Sequence, residues 1–109
     1  MNQKEQIKEM VSELPDFIKE NEDGTYTITL KKEKLIPEGK VIMEEKSGKV
    51  LESCQKMSDS INKPYEALLA VRSCVEPKLT NDDLENLKGS NYFKLKSAVL
   101  YIYGMSDFF

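Results

Sequence analysis

The chain has no histidine and no tryptophan, only two cysteines and five glycines, and no long apolar run anywhere in its 109 residues. Each absence removes a class of function. Without histidine, neither a Ser-His-Asp nor a Cys-His nucleophile arrangement can be assembled. Cys54 and Cys74 stand outside any CxxC spacing, and with no imidazole to join them they make no zinc set. Each lies among apolar neighbours in a helical pattern and reads as a buried free thiol. The glycines form neither GxGxxG nor GxxxxGK[ST], so no phosphate-cradling loop is expected. No stretch approaches the ~20 apolar residues of a membrane span. The opening MNQKEQIKEM lacks a hydrophobic h-region, so a secretory signal is not expected and a cytoplasmic location is.

What remains is an ordinary soluble composition, with 39% hydrophobic residues, 32% charged residues and a net charge of -3. The length predicts a single domain over residues 1–109, large enough to hide roughly two thirds of its unfolded surface without staples. Lysines and acids are interspersed through residues 1–60 with no basic stripe, so neither nucleic acid nor membrane is an expected partner. Carboxylates, lysines and tyrosines form no convergent set, so the expectation is a non-enzyme with no catalytic residues, no cofactor and no metal.

Read in order, residues 2–14 place Ile7, Met10, Val11 and Leu14 at helical spacing, with Lys4, Lys8, Glu5, Glu9 and Glu13 on the other faces. Pro15 stops this helix, and its narrow apolar stripe predicts that the N-terminal helix of residues 1–20 docks loosely or frays and is mobile. Asn21-Glu22-Asp23-Gly24 is a turn signature. A calcium loop is excluded there, because Lys19 and Leu30 would occupy its first and bidentate positions. TYTITL, residues 25–30, alternates strictly, with Tyr26, Ile28 and Leu30 on one side and threonines on the other, which predicts a half-buried strand. KVIMEE, residues 40–45, predicts its antiparallel partner across a polar connection punctuated by Pro37 and Gly39, giving a β-hairpin over residues 24–46.

A helical core is expected over residues 48–103. It begins with a thinly apolar surface helix over residues 49–61, followed by YEALLAVRSCV, which is apolar on most sides and therefore buried. Arg72 in its midst reads as a solvated side chain. Thr80-Asn81-Asp82-Asp83 is a capping box whose carboxylates belong to the helix start, not to catalysis. Ser90 is expected to cap the last helix, whose inward stripe is Tyr92, Leu95, Val99, Ile102 and Tyr103, with Lys94, Ser97 and Tyr101 opposite and Lys96 at the edge. Gly104 ends it. The apolar tail over residues 104–109 closes on Phe108 and Phe109, which fold back, bury in another subunit of a homo-oligomer, or stay exposed. The predicted fold class is α+β: an N-terminal helix, a two-stranded antiparallel hairpin, then a mostly helical C-terminal half packed as a small bundle.

Over residues 24–104 the order of strand TYTITL, glycine-containing connection, strand KVIMEE and helix YEALLAVRSCV, followed by LTNDDLENLKGSNYFKLKSAVLYIYG, resembles the small tail assembly chaperones of long-tailed bacteriophages and prophages. The last run is similar to that family's succession of leucine-threonine turn, acidic residue, leucine pair, break, aromatic and closing amphipathic helix. The resemblance implies a non-enzymatic protein of the bacterial host cytoplasm that chaperones the tape measure protein and recruits tail tube protein without staying in the finished tail. It also implies a second, frameshifted form with a C-terminal extension. Leu100, Tyr101, Phe108 and Phe109 are the expected partner-binding or self-association residues. The alternatives are a small acidic regulator, with residues 80–89 and 90–103 as a helix-turn-helix-like pair, and a structural adaptor subunit of the tail.

Overall fold

The structure, a computed structural model, describes residues 14–105. The helix expected over residues 2–14 therefore lies outside the described residues except for Leu14, which is not helical. Phe108 and Phe109 also lie outside them.

The fold is α+β, but its sheet has four strands where two were expected: β1 (Ile18–Glu20), β2 (Tyr26–Thr29), β3 (Lys40–Met43) and β4 (Cys74–Glu76), antiparallel in that order. The NEDG turn is the hairpin joining β1 to β2. The Asn21 amide donates to the Thr25 carbonyl at 2.8 Å, and Gly24 supplies the left-handed backbone at φ +87°. Asp23 Oδ1 accepts from the Thr25 amide at 3.0 Å and the Thr25 hydroxyl at 2.6 Å, bonds that hold its carboxyl below the usual range. With the turn closed, Ile18 pairs with Ile28 and Ile28 with Val41. One apolar row thus crosses three strands on the face turned to the helices.

β4 corrects the second expectation. The helix predicted for YEALLAVRSCV stops at Ser73, and Cys74 turns extended, with φ -68° and ψ 122°. Pro77 disfavours helical backbone at Glu76, and β-branched Val75 precedes it, so the chain leaves the helix early and pairs Cys74 with Met43 and Glu76 with Ile42. The connection between β2 and β3 is not merely polar either. Leu35 packs on the core, and Ile36 is completely buried.

Among the described residues there are four helices, α1 (Gly48–Ile61), α2 (Tyr65–Ser73), α3 (Asn81–Glu85) and α4 (Gly89–Ile102), of which α4 packs on β2 and α2 on β4. Alanines and leucines bury α2 on most sides, through Ala67, Leu68, Leu69 and Ala70, and it touches each of the other helices. α3 begins with Thr80 Oγ1 accepting from the Asp83 amide at 3.1 Å while Asp83 Oδ2 accepts from the Thr80 amide at 3.0 Å. α4 lies against α2 and β2 with Leu95, Ala98 and Val99 fully buried. Each of these larger side chains contributes roughly 1.5–3 kcal/mol of apolar burial.

Candidate functional site

α4 carries Leu100 and Tyr101, two of the four expected partner-binding residues, and side chains from distant segments fix both of its ends. At its N-terminus Ser90 does not cap, correcting the sequence expectation; the N-cap position is Lys88, with no side-chain cap of its own. Glu33 arrives from the β2–β3 connection instead. Its two carboxylate oxygens accept from the Lys88 amide at 3.2 and 3.0 Å, placing negative charge at the positive end of the helix. Asn91, fully buried in the first turn, locks that connection down. Its Oδ1 accepts from the Lys31 amide at 2.9 Å, and its Nδ2 donates to the Lys31 carbonyl at 2.9 Å and to Glu33 Oε2 at 2.5 Å. The amide is thus read as donor and acceptor at once, a pattern only Asn or Gln can match.

At the C-terminal end the Tyr103 hydroxyl accepts from the Lys46 amide at 2.7 Å and bonds the buried Ser73 hydroxyl at 2.8 Å. This joins α4 to the start of α1 and to the α2–β4 junction. Gly104, at φ +70°, then turns the chain, and the Met105 amide donates to the Leu100 carbonyl at 2.6 Å. Both ends of α4 are thus tied to other segments, which sets the face it turns outward.

That face is apolar along its middle. Tyr101 is exposed, opposite the inward stripe as its helical position predicts, Leu100 is half-buried, and the structure adds Phe93, whose 68% exposure is the largest of any large apolar side chain among the described residues. Phe93, Ser97 and Leu100 line one shallow hollow with Glu66 of α2 and Lys96, while Tyr101 lines the next with Leu14, Pro15 and Asp16. The spacing 93, 97, 100, 101 marks one helix side, and Phe93 falls off the buried stripe; that signal is in the sequence, although it marks no core position. Lys94 and Lys96 flank the strip. Their ammonium groups stand 5.7 Å from the Phe17 ring centre and 5.0 Å from the Tyr92 ring centre. The ion pairs among the described residues are Lys46–Glu44 and Lys63–Glu85, so neither flanking lysine is paired there.

Elsewhere the chemistry is quiet. Burial pushes the Cys74 thiol up to about 12 and raises that of Cys54, the latter offset in part by the Arg72 charge, so both are held as thiols and not as nucleophilic thiolates. Arg72 itself is exposed. Among the described residues no group of three or more acidic or cysteine side chains could hold a metal ion, and no helix is long and apolar enough to cross a membrane. No protein-family model, no curated protein and no solved structure matches this chain.

Proposed function

We propose that this protein is a tail assembly chaperone of a long-tailed phage or prophage: a non-enzymatic cytoplasmic factor that binds the tape measure protein and recruits tail tube protein. The observation that carries the reading is the outward face of α4, with Phe93, Leu100 and Tyr101 aligned on a helix clamped at both ends. A long helical client would lay its own apolar stripe along such a strip, in the manner of helix-in-groove recognition. Phe108 and Phe109, outside the described residues, would add to the surface from the tail. The regulator alternative asks the same face to meet DNA, which requires basic and polar side chains. Here it offers two lysines at the flanks and aromatics between, and that favours a protein partner. An adaptor subunit retained in the tail would use the same surface as a permanent contact.

The test is co-purification of the affinity-tagged chain from its induced host, with the bound proteins identified by mass spectrometry. Recovery of a very long helical protein together with a tail tube subunit is expected; recovery of DNA or transcription machinery without tail proteins transfers the assignment to the regulator. Phe93→Ala, Leu100→Asp and Tyr101→Ala, each costing about 2 kcal/mol at a central contact, should weaken the client about thirtyfold apiece. Unchanged capture by the triple variant removes α4 from the interface.

A further inference from the structure

Away from α4, the helices α1 and α2 and the start of α3 enclose a hollow of about 280 Å³. Leu68, Val71 and Cys54 form its floor, and the exposed Met57, Arg72 and Thr80 stand at its rim. We infer that this hollow docks an acidic segment of a partner protein, which places one leucine-sized side chain beside Met57 and pairs a neighbouring carboxylate with Arg72. The apolar part is plain in the exposures. Met57 and Ile61, one turn apart on α1, are 41% and 43% exposed, and neither belongs to the core cluster. A methionine at the mouth of an apolar socket adapts to side chains of varied shape.

Charge selects the occupant. Arg72 is the only arginine of the chain, its charge reaches the Cys54 thiol at the floor, and among the described residues no carboxylate pairs with it. Its planar guanidinium offers the fork that a carboxylate fits. The acids around it are engaged or turned elsewhere. Asp83 accepts from the Thr80 amide, the Asp82 charge acts on Lys63, Glu66 lines the hollow under Phe93, and Glu76 lines the one beside Pro77. Helical spacing on α1 sets Lys49 and Lys56 on the Met57 side and Glu52 and Asp59 on the other, where Gln55 donates to Asp59 at 3.3 Å. A chain of net charge -3 thus keeps a cationic rim around this one apolar socket. Phosphate backbones are met by basic and polar groups and have no use for such a socket, which favours a protein segment over nucleic acid. A second copy paired about this face would oppose Arg72 to Arg72, a like-charge contact that disfavours it. The inference does not rest on the chaperone assignment, and it adds a docking surface separate from the α4 strip.

Panning a displayed library of random peptides on the immobilised full-length chain tests this without knowledge of the partner. The enriched peptides are expected to carry an aspartate or glutamate within a turn of a leucine, methionine or phenylalanine. A labelled synthetic peptide of the enriched sequence, followed by fluorescence anisotropy, should bind Arg72→Ala roughly tenfold to a hundredfold more weakly, as expected for loss of a hydrogen-bonded charge pair. Arg72→Lys keeps the charge without the fork and should recover only part of that loss. Met57→Asp should weaken the same peptide, whereas Phe93→Ala on α4 should leave its affinity unchanged. Met57 and Arg72 are both exposed, so their variants should keep the wild-type circular dichroism spectrum. The inference is overturned if no peptide is enriched, if the enriched peptides lack acids, or if Arg72→Ala and Met57→Asp bind as wild type does. Loss of binding in Phe93→Ala alone would give the peptide to α4. Arg72-dependent capture of phosphatidylglycerol vesicles or of a DNA oligonucleotide, with no peptide bound, would give the hollow to a phosphate-bearing partner and overturn it as well.

Discussion

Replacing Asn91 by aspartate exchanges the amide's NH2 for an oxygen and puts a carboxylate where the fold needs a donor. The acceptor role toward the Lys31 amide survives. The donated bonds to the Lys31 carbonyl and to Glu33 Oε2 do not, and the site is completely buried. One neutral bond at about 0.5–1.5 kcal/mol and one to a charged acceptor at about 1.5–3 kcal/mol give a loss of roughly 2–4.5 kcal/mol. That is a large fraction of the ~5–15 kcal/mol stability of a typical domain. With a urea slope of about 1–3 kcal/mol per molar, the midpoint should fall by on the order of 1–2 M.

The pH dependence carries the mechanism. Burial and the neighbouring Glu33 carboxylate both raise the folded-state pKa of the introduced carboxyl above its unfolded value of about 3.9. The folded variant then binds more protons than the unfolded chain, so its stability falls as pH rises from that unfolded value through the raised one. Once protonated, the group can donate again. The deficit relative to wild type, measured by urea unfolding followed by circular dichroism, should be smallest near pH 4 and full at pH 7.5. A wild-type midpoint at pH 7.5, or a deficit that does not change with pH, refutes the argument that Asn91 is held for its donors.

Tyr103→Phe keeps the ring and deletes the hydroxyl that serves the Lys46 amide and Ser73, so thermal unfolding should move down by the equivalent of about 1–2 kcal/mol, while Tyr101→Phe should leave it unchanged. Gly39 sits at φ +69°, and an added Cβ would meet the Lys32 Cγ at 3.1 Å and the Leu30 carbonyl oxygen at 3.2 Å, so Gly39→Ala should cost roughly 1–3 kcal/mol from the backbone strain plus the contact. Gly24→Ala, at φ +87° in open space, should cost less in the same melt, and a reversed order would show that the close approach at Gly39 is not what selects glycine. Burial of Cys74 raises its folded pKa to about 12, above the unfolded value of about 8.5, so its contribution is complete below pH ~8.5 and is lost as pH rises through about 12. Cys74→Ala should therefore be less stable than wild type at pH 7 in urea unfolding, with the gap narrowing by pH 10.5.

The parts of this protein visible in its sequence are those whose cause is local. Alternation in TYTITL, the Thr80–Asp83 capping pattern and the apolar spacing of α2 and α4 each need only a few neighbouring residues, and each element forms there, although α2 ends at Ser73, short of its pattern, and α4 starts before Ser90. The outward position of Leu100 and Tyr101 follows from the same helical period, and so does that of Phe93 once the unburied side is read as carefully as the core. The tertiary structure decided what depends on partners far along the chain. Ile18–Glu20 has no alternation to announce it and becomes β1 only because a closed turn lays it on β2. Cys74–Glu76 abandons a helical pattern to complete the sheet beside Met43. The ends of α4 are set by Asn91 reaching Lys31 sixty residues away and by Tyr103 reaching Lys46 fifty-seven away, contacts that local spacing does not encode. A polar side chain in a helix gives no sign in the sequence of whether water or another segment will satisfy it; packing settles that, because a buried amide or hydroxyl must find its partners within the fold.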